Sequence, residues 1–160
     1  MVRIAALLPL TGANSEVGTG LYEGAQLAAE TFSNTHNMNI EIIPYDYETR
    51  MTTALNKIRE IASNRSITAV FGPVENDITA ACAVVAGYED LNVISPTASN
   101  DELIELAYFF NLLAPTVKSM SENLNRFAAD SLKLDRIVTV APLDEYFKSF
   151  VDAFSARHED

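Results

Sequence analysis

Short apolar runs alternate along this chain with longer segments whose apolar residues recur every three or four positions. The runs are Arg3 to Leu8, Asn39 to Tyr45, Ile67 to Phe71, Asn92 to Ile94, Tyr108 to Leu112 and Arg136 to Val140, and most are rich in Val, Ile and Phe. Strands covered on both faces have that composition. Between them the helical period reads Leu21, Ala25, Ala28, Phe32, then Ala54, Leu55, Ile58, Ile61, Ala62, then Ile78, Ala81, Cys82, Val85. A fourth stripe runs Val117, Met120, Leu124, Phe127, Ala128, and a fifth Leu143, Phe147, Phe150, Val151, Phe154. Parallel strands need right-handed crossovers, so this rhythm predicts a three-layer α/β fold, a doubly wound parallel sheet with helices on both faces.

Such a sheet binds ligands outside the carboxyl ends of its strands, where the strand order reverses between the first and third strands. Here those ends are Pro9 to Gly20, Gly72 to Asp77 and Ser95 to Asn100, all rich in Gly, Ser, Thr or Asn. Asn76 or Asp77 is placed to cap the third helix, and Thr97 or Ser99 a short helix near Asp101. Helix amides and hydroxyls aimed at one cleft would suit a carboxylate.

Catalytic patterns are weaker. Gly18-Thr19-Gly20 with Gly24 lies too far beyond the first strand for a dinucleotide fingerprint. Those glycines are read instead as easing the turn into the first helix, and Gly24 as permitting close packing on the sheet. Ser95 and Ser99 have no histidine nearby in sequence to act as a base. Asp46, Glu48, Glu75 and Asp77 read as a solvated acidic rim. A receiver-type phosphoacceptor is excluded because the first strand ends in Leu8-Pro9-Leu10-Thr11. Cys82, the sole cysteine, falls on an apolar stripe and reads as a core thiol, and it leaves no intrachain disulfide. His36 and His158 are far apart and give no metal spacing. No enzyme, cofactor or metal is expected.

The chain has 160 residues, 48% of them apolar, and a net charge of −11 from 11 Lys plus Arg against 22 Asp plus Glu. That acidity excludes a nucleic-acid binder, which needs a basic face. No run is long enough to span a bilayer. The start, Met1-Val2-Arg3, leads into a strand without a cleavage site, so an exported form is expected to begin here after its leader.

Ile4 to Gly12 (IAALLPLTG), Gly24-Ala25-Gln26-Leu27-Ala28, Tyr45-Asp46-Tyr47-Glu48-Thr49, Gly72-Pro73, Ile94-Ser95-Pro96-Thr97-Ala98-Ser99 and Ala114-Pro115, in that order, resemble the type I periplasmic binding proteins. The likeness is greatest to the leucine/isoleucine/valine receptors that feed ABC importers. The resemblance implies a periplasmic or extracellular receptor for a small polar, amino acid-like ligand, working with an ABC permease. It implies ligand contacts at Asn76, at Thr97, Ala98 and Ser99, in the first loop from Ser15 through Val17 to Gly18, and at Tyr146. Val17 stands where an aromatic is common and Asn76 where serine is common, and Glu75 and Asp77 would each repel a carboxylate by about 1 kcal/mol if they faced it. Residues 1–115 then form an amino-terminal ligand-binding lobe. Residues 116–160 open a second lobe as an incomplete helix, strand and helix. A homodimer through that part, or a tail docked on its own sheet, would cover it. A sensor or scaffolding module recognising a protein partner is the alternative function.

Overall fold

The computed structural model of the protein describes residues 1–106 and 110–156. Five strands form one parallel sheet: β1 (Val2–Leu8), β2 (Ile40–Asp46), β3 (Ala69–Phe71), β4 (Asn92–Ser95) and β5 (Phe110–Leu112). Their spatial order is β2-β1-β3-β4-β5, so the order reverses between β1 and β3 as expected. Tyr108 and Phe109, the start of the expected fifth strand, lie outside the described residues.

The crossovers are α1 (Ser15–His36), α2 (Met51–Ser63), α3 (Asn76–Tyr88) and the single turn α4 (Leu103–Leu106). The step from β1 to β2 runs one way across the sheet and every later step runs the other. Right-handed crossing therefore puts α1 alone on one face and α2, α3 and α4 on the opposite face. Register shows the consequence. Ala5, Val70 and Val93 are in register on the three-helix side and are fully buried with Leu7, Ile58, Ile61 and Cys82. Ile4, Ile42, Phe71 and Ile94 share the α1 side and are only half-buried.

Glycines mark where α1 and the sheet approach. A Cβ on Gly18 would lie 2.2 Å from the Pro9 carbonyl oxygen, so α1 packs tightly at its start. Gly20 and Gly24 have open space at that position, which corrects the expectation of close packing at Gly24. Nor do Gly18 and Gly20 form a turn, because the helix has already begun at Ser15.

The chain divides into two compact units: Met1–Ala98 with Glu102–Ala114, and Ser99–Asp101 with Pro115–Asp160. In the second, α5 (Val117–Arg126) is capped by Thr116, whose hydroxyl accepts from the Ser119 amide at 3.2 Å. A π-helical turn follows over Phe127–Ser131. α6 (Glu145–Ser155) is capped by Asp144, which accepts from the Phe147 amide at 3.0 Å. The buried face of α5 carries Val117, Ser121 and Asn125, and Ala128 beyond it is buried too, whereas Leu124 and Phe127 of the expected stripe are exposed. The Ser121 hydroxyl donates to the Phe150 carbonyl at 2.7 Å, and the Asn125 amide to that of Phe154.

Residues 136–140 form no strand, so the expected helix, strand and helix is corrected to two helices joined by an irregular segment. A strand exists only when a neighbour takes its ladder hydrogen bonds. Here Val138 and Val140 stand 87% and 94% exposed.

Candidate ligand site at the carboxyl edge of the sheet

Three loops of the first unit converge where the strand order reverses. Gly72, with φ +112°, ends β3, and a Cβ there would meet the Leu7 carbonyl oxygen at 1.9 Å, so only glycine lets the turn pass this close to β1. The Gly72 amide donates to the Ile94 carbonyl at 2.9 Å. Beyond it the buried Ser95 hydroxyl donates to the Pro73 carbonyl at 2.7 Å and accepts from the Ala98 amide at 3.2 Å. The Thr97 hydroxyl donates to the Val74 carbonyl at 2.9 Å. These bonds strap the loop after β4 onto the loop after β3.

Glu75 ties in the first loop. Its carboxylate accepts from the Asn14 side-chain amide and from the hydroxyl of Tyr47, and that hydroxyl in turn accepts from the Val74 amide at 3.2 Å. Tyr47 is fully buried. Burial, with the Glu75 carboxylate beside it, pushes the phenol well above its ordinary value, so it stays protonated and keeps donating.

Asp46 organises the edge from β2. It accepts from the amides of Leu10, Thr11 and Glu48 at 2.9, 3.2 and 2.8 Å and from the Thr11 hydroxyl at 2.6 Å. Burial alone would raise its carboxyl, but these four bonds outweigh that and hold it below the usual carboxylate range.

The first unit therefore brings together the start of α1, the start of α3 and residues 95–98. Asn76 is the first residue of α3 and half-buried, and Ser15 holds the same place in α1. Thr97 is exposed and Ala98 buried. Val17 is exposed on α1, while Gly18 is buried against Pro9 and serves packing. Ser99 and Tyr146 belong to the second unit. There the Ser99 carbonyl accepts from the Val117 amide at 2.8 Å, and the Tyr146 ring packs edge-on to Phe147.

The expected caps are corrected. Glu75 occupies the cap position of α3, with Asn76 and Asp77 already inside the helix, and Thr97 spends its hydroxyl on Val74. The rim reading also changes, because Glu75 and Asp46 are bound into the loops rather than merely solvated. Tyr47, Glu75 and Asn14 were not singled out as positioning residues from sequence. The sequence marks them only as a tyrosine two residues beyond an apolar run and a carboxylate before a helical period.

Among the described residues of the site, Ser95 and Thr97 donate their hydroxyls to backbone carbonyls, which holds the loops in place. Cys82 is buried in the core, and burial pushes its thiol up to about 12. Among the described residues no three His, Cys, Asp or Glu side chains gather as a metal site, and no helix is long and apolar enough to cross a membrane.

Comparison with known proteins bears on this arrangement. A leucine binding protein from Thermotoga maritima superposes with a TM-score of 0.79 at 22% identity, over 98% of this chain and 46% of its own. A branched-chain amino acid transporter substrate binding protein from Streptococcus pneumoniae, solved with isoleucine, gives 0.80 at 20% identity over 98% and 46%. A solute binding protein of an ABC transporter from Rhodopseudomonas palustris, in complex with 3,4-dihydroxybenzoic acid, gives 0.77 at 18% over 97% and 44%. The chain thus spans under half the length of these solved proteins. No curated protein sequence matches it. The family model described as periplasmic binding protein matches residues 1–159, and the family is one of binding proteins rather than enzymes. On that match the chain belongs to the periplasmic binding protein family.

Proposed function

We propose that this chain is the ligand-binding lobe, with the opening of a second lobe, of an extracytoplasmic receptor that delivers a small polar, amino acid-like solute to an ABC-type importer. The observation that carries the reading is the strapping of three loops at the switch point, which fixes Asn76, Thr97 and the start of α1 around one edge. Loops already held in place suit a small ligand, because they need no ordering when it arrives. With Glu75 engaged by Asn14 and Tyr47, the repulsion expected from its charge is reduced. For Ser99 and Tyr146 the assignment rests on the resemblance alone. The ligands of the relatives solved with isoleucine and with 3,4-dihydroxybenzoic acid share a carboxyl group, which supports carboxylate recognition as the common element.

For residues 1–160 alone, weak binding is expected, because this segment spans under half of its relatives' length. Exposed Val138 and Val140 support pairing of two copies through the second unit. Calorimetry against leucine, isoleucine and 3,4-dihydroxybenzoate tests the reading. Weak heats that Asn76→Ala abolishes are expected, whereas tight binding by the monomer, or heats unchanged in that variant, would contradict it.

A further inference from the structure

Of the asparagines in the chain, only Asn64 is followed two positions on by Ser or Thr, and the residue between them, Arg65, is not proline. Asn-x-Ser with x other than proline is the acceptor triplet for transfer of a saccharide to an asparagine side chain in exported proteins. A triplet this short also arises by chance, so its placement and geometry decide.

Asn64, Arg65 and Ser66 form the turn between α2 and β3, and all three are exposed. The Asn64 amide donates to the Ile61 carbonyl at 2.9 Å where α2 ends, and the Asn64 carbonyl accepts from the Ile67 amide at 3.0 Å. Ile61 and Ile67 are buried, so the turn is held to the core at both sides while its own side chains face water. It stands at the amino-terminal end of β3, whereas Gly72 and the candidate ligand loops follow the carboxyl end of that strand. A bulky saccharide here would leave the ligand edge clear.

The bonds within the turn bear on the chemistry. Asn64 Oδ1 accepts from the Ser66 amide at 3.1 Å and from the Ser66 hydroxyl at 2.8 Å, which closes an Asx turn. An amide nitrogen is a poor nucleophile, because its electron pair is delocalised into the carbonyl. Donors on Oδ1 stabilise the negative charge that collects there when Nδ2 loses a proton, and that loss frees the nitrogen pair to attack. The hydroxyl at position 66 supplies one of the two donors.

We propose that Asn64 is a site of N-linked glycosylation, taking its saccharide from a lipid diphosphate carrier. Nδ2 forms a bond to the anomeric carbon as the bond from that carbon to the phosphate oxygen breaks. The lipid diphosphate leaves with the electron pair, and the Nδ2 proton passes to a base of the transferring enzyme. The assignment rests on the extracytoplasmic placement proposed above and not on what the carboxyl edge of the sheet binds.

The test incubates the purified, folded chain with an oligosaccharyltransferase that requires only the triplet and with a lipid diphosphate-linked oligosaccharide, and reads intact mass and peptide maps. One saccharide is expected, on Asn64. Asn64→Gln should abolish the transfer, and Ser66→Ala should slow it at least tenfold. Ser66→Thr, which keeps the hydroxyl, should match or exceed the parent. A free peptide of residues 61–69 controls for access, and the folded chain should be modified at least as fast. An unmodified folded chain, with the peptide modified or not, would overturn the proposal. So would transfer to another asparagine, or equal rates for the parent and Ser66→Ala. The mass readout needs no ligand, so a chain that binds no leucine yet takes the saccharide on Asn64 upholds this proposal while contradicting the reading of the carboxyl edge.

Discussion

On one side of the sheet Ala5, Leu7, Val70 and Val93 meet Ile58, Ile61 and Cys82 with no exposure to water, while on the other Ile4, Ile42, Phe71 and Ile94 stay half open beside α1. The strands supply both faces from the same short apolar runs, so side-chain chemistry does not explain the contrast. Connection order does. One crossover turns back toward β2 and the rest advance toward β5, which gives one face a single helix and the other three. Among the described residues coverage thus follows topology, and on the α1 side Ala6 and Leu8 are still fully buried.

The largest expected effect breaks the closed face. Ile58→Ala removes a fully buried side chain from a packed core and should cost about 2–5 kcal/mol in chemical denaturation. Ile94→Ala on the half-open face should cost about 1 kcal/mol, since less apolar surface returns to water. Equal losses would remove the contrast.

The glycines of α1 sharpen it within one helix. Gly18→Ala drives a Cβ into the Pro9 carbonyl and should destabilise by about 2 kcal/mol or more, as a buried clash does. Gly24→Ala meets only open space and should stabilise by about 0.5–1 kcal/mol through helix propensity, raising the melting temperature by about 2 °C. Same-sign shifts from the two variants would remove the difference between the tight approach at Gly18 and the open space at Gly24.

The smallest effect concerns the loops. Because the folded Asp46 carboxyl lies below its ordinary value, it contributes stability that is present above the unfolded value and lost as pH falls through the depressed folded one. Asp46→Asn should therefore be less stable than the parent at neutral pH, and the difference should shrink on acidification below pH 4 or so. A difference constant from pH 7 to pH 2 would rule out the carboxylate as its source.

How much of this was legible beforehand follows the range of each interaction. The strands, the switch point and α2 with its Ala54, Ile58 and Ile61 stripe were readable because each is a local pattern under a simple period. The stripe on α1 was readable too, but a stripe says which side is apolar and not whether anything lies against it. Arg136 to Val140 carries a strand's composition, yet a strand is a property of pairs, and the described second unit supplies no neighbour. Ser121 and Asn125 were hidden because polar residues that bury against backbone carbonyls break no visible pattern.

The site shows the same division. Its turns were legible from Gly72-Pro73 and Ser95-Pro96-Thr97, since small and polar residues after an apolar run mark a strand's end. The clamp joining Asn14, Tyr47 and Glu75 spans 61 and 28 positions of sequence, and no local rule links residues so far apart. That clamp also explains why an acidic side chain can stand at a proposed carboxylate site.

The central claim is that the carboxyl edge holds a solute, and amide chemical-shift mapping with isotope-labelled protein tests it most directly. Titration with leucine to tens of millimolar is expected to move the amides of residues 74–77 and 97–98 together, with weak and saturable binding, and to leave those of residues 20–32 still. No movement at those amides, or shifts confined to residues 20–32, would contradict the account.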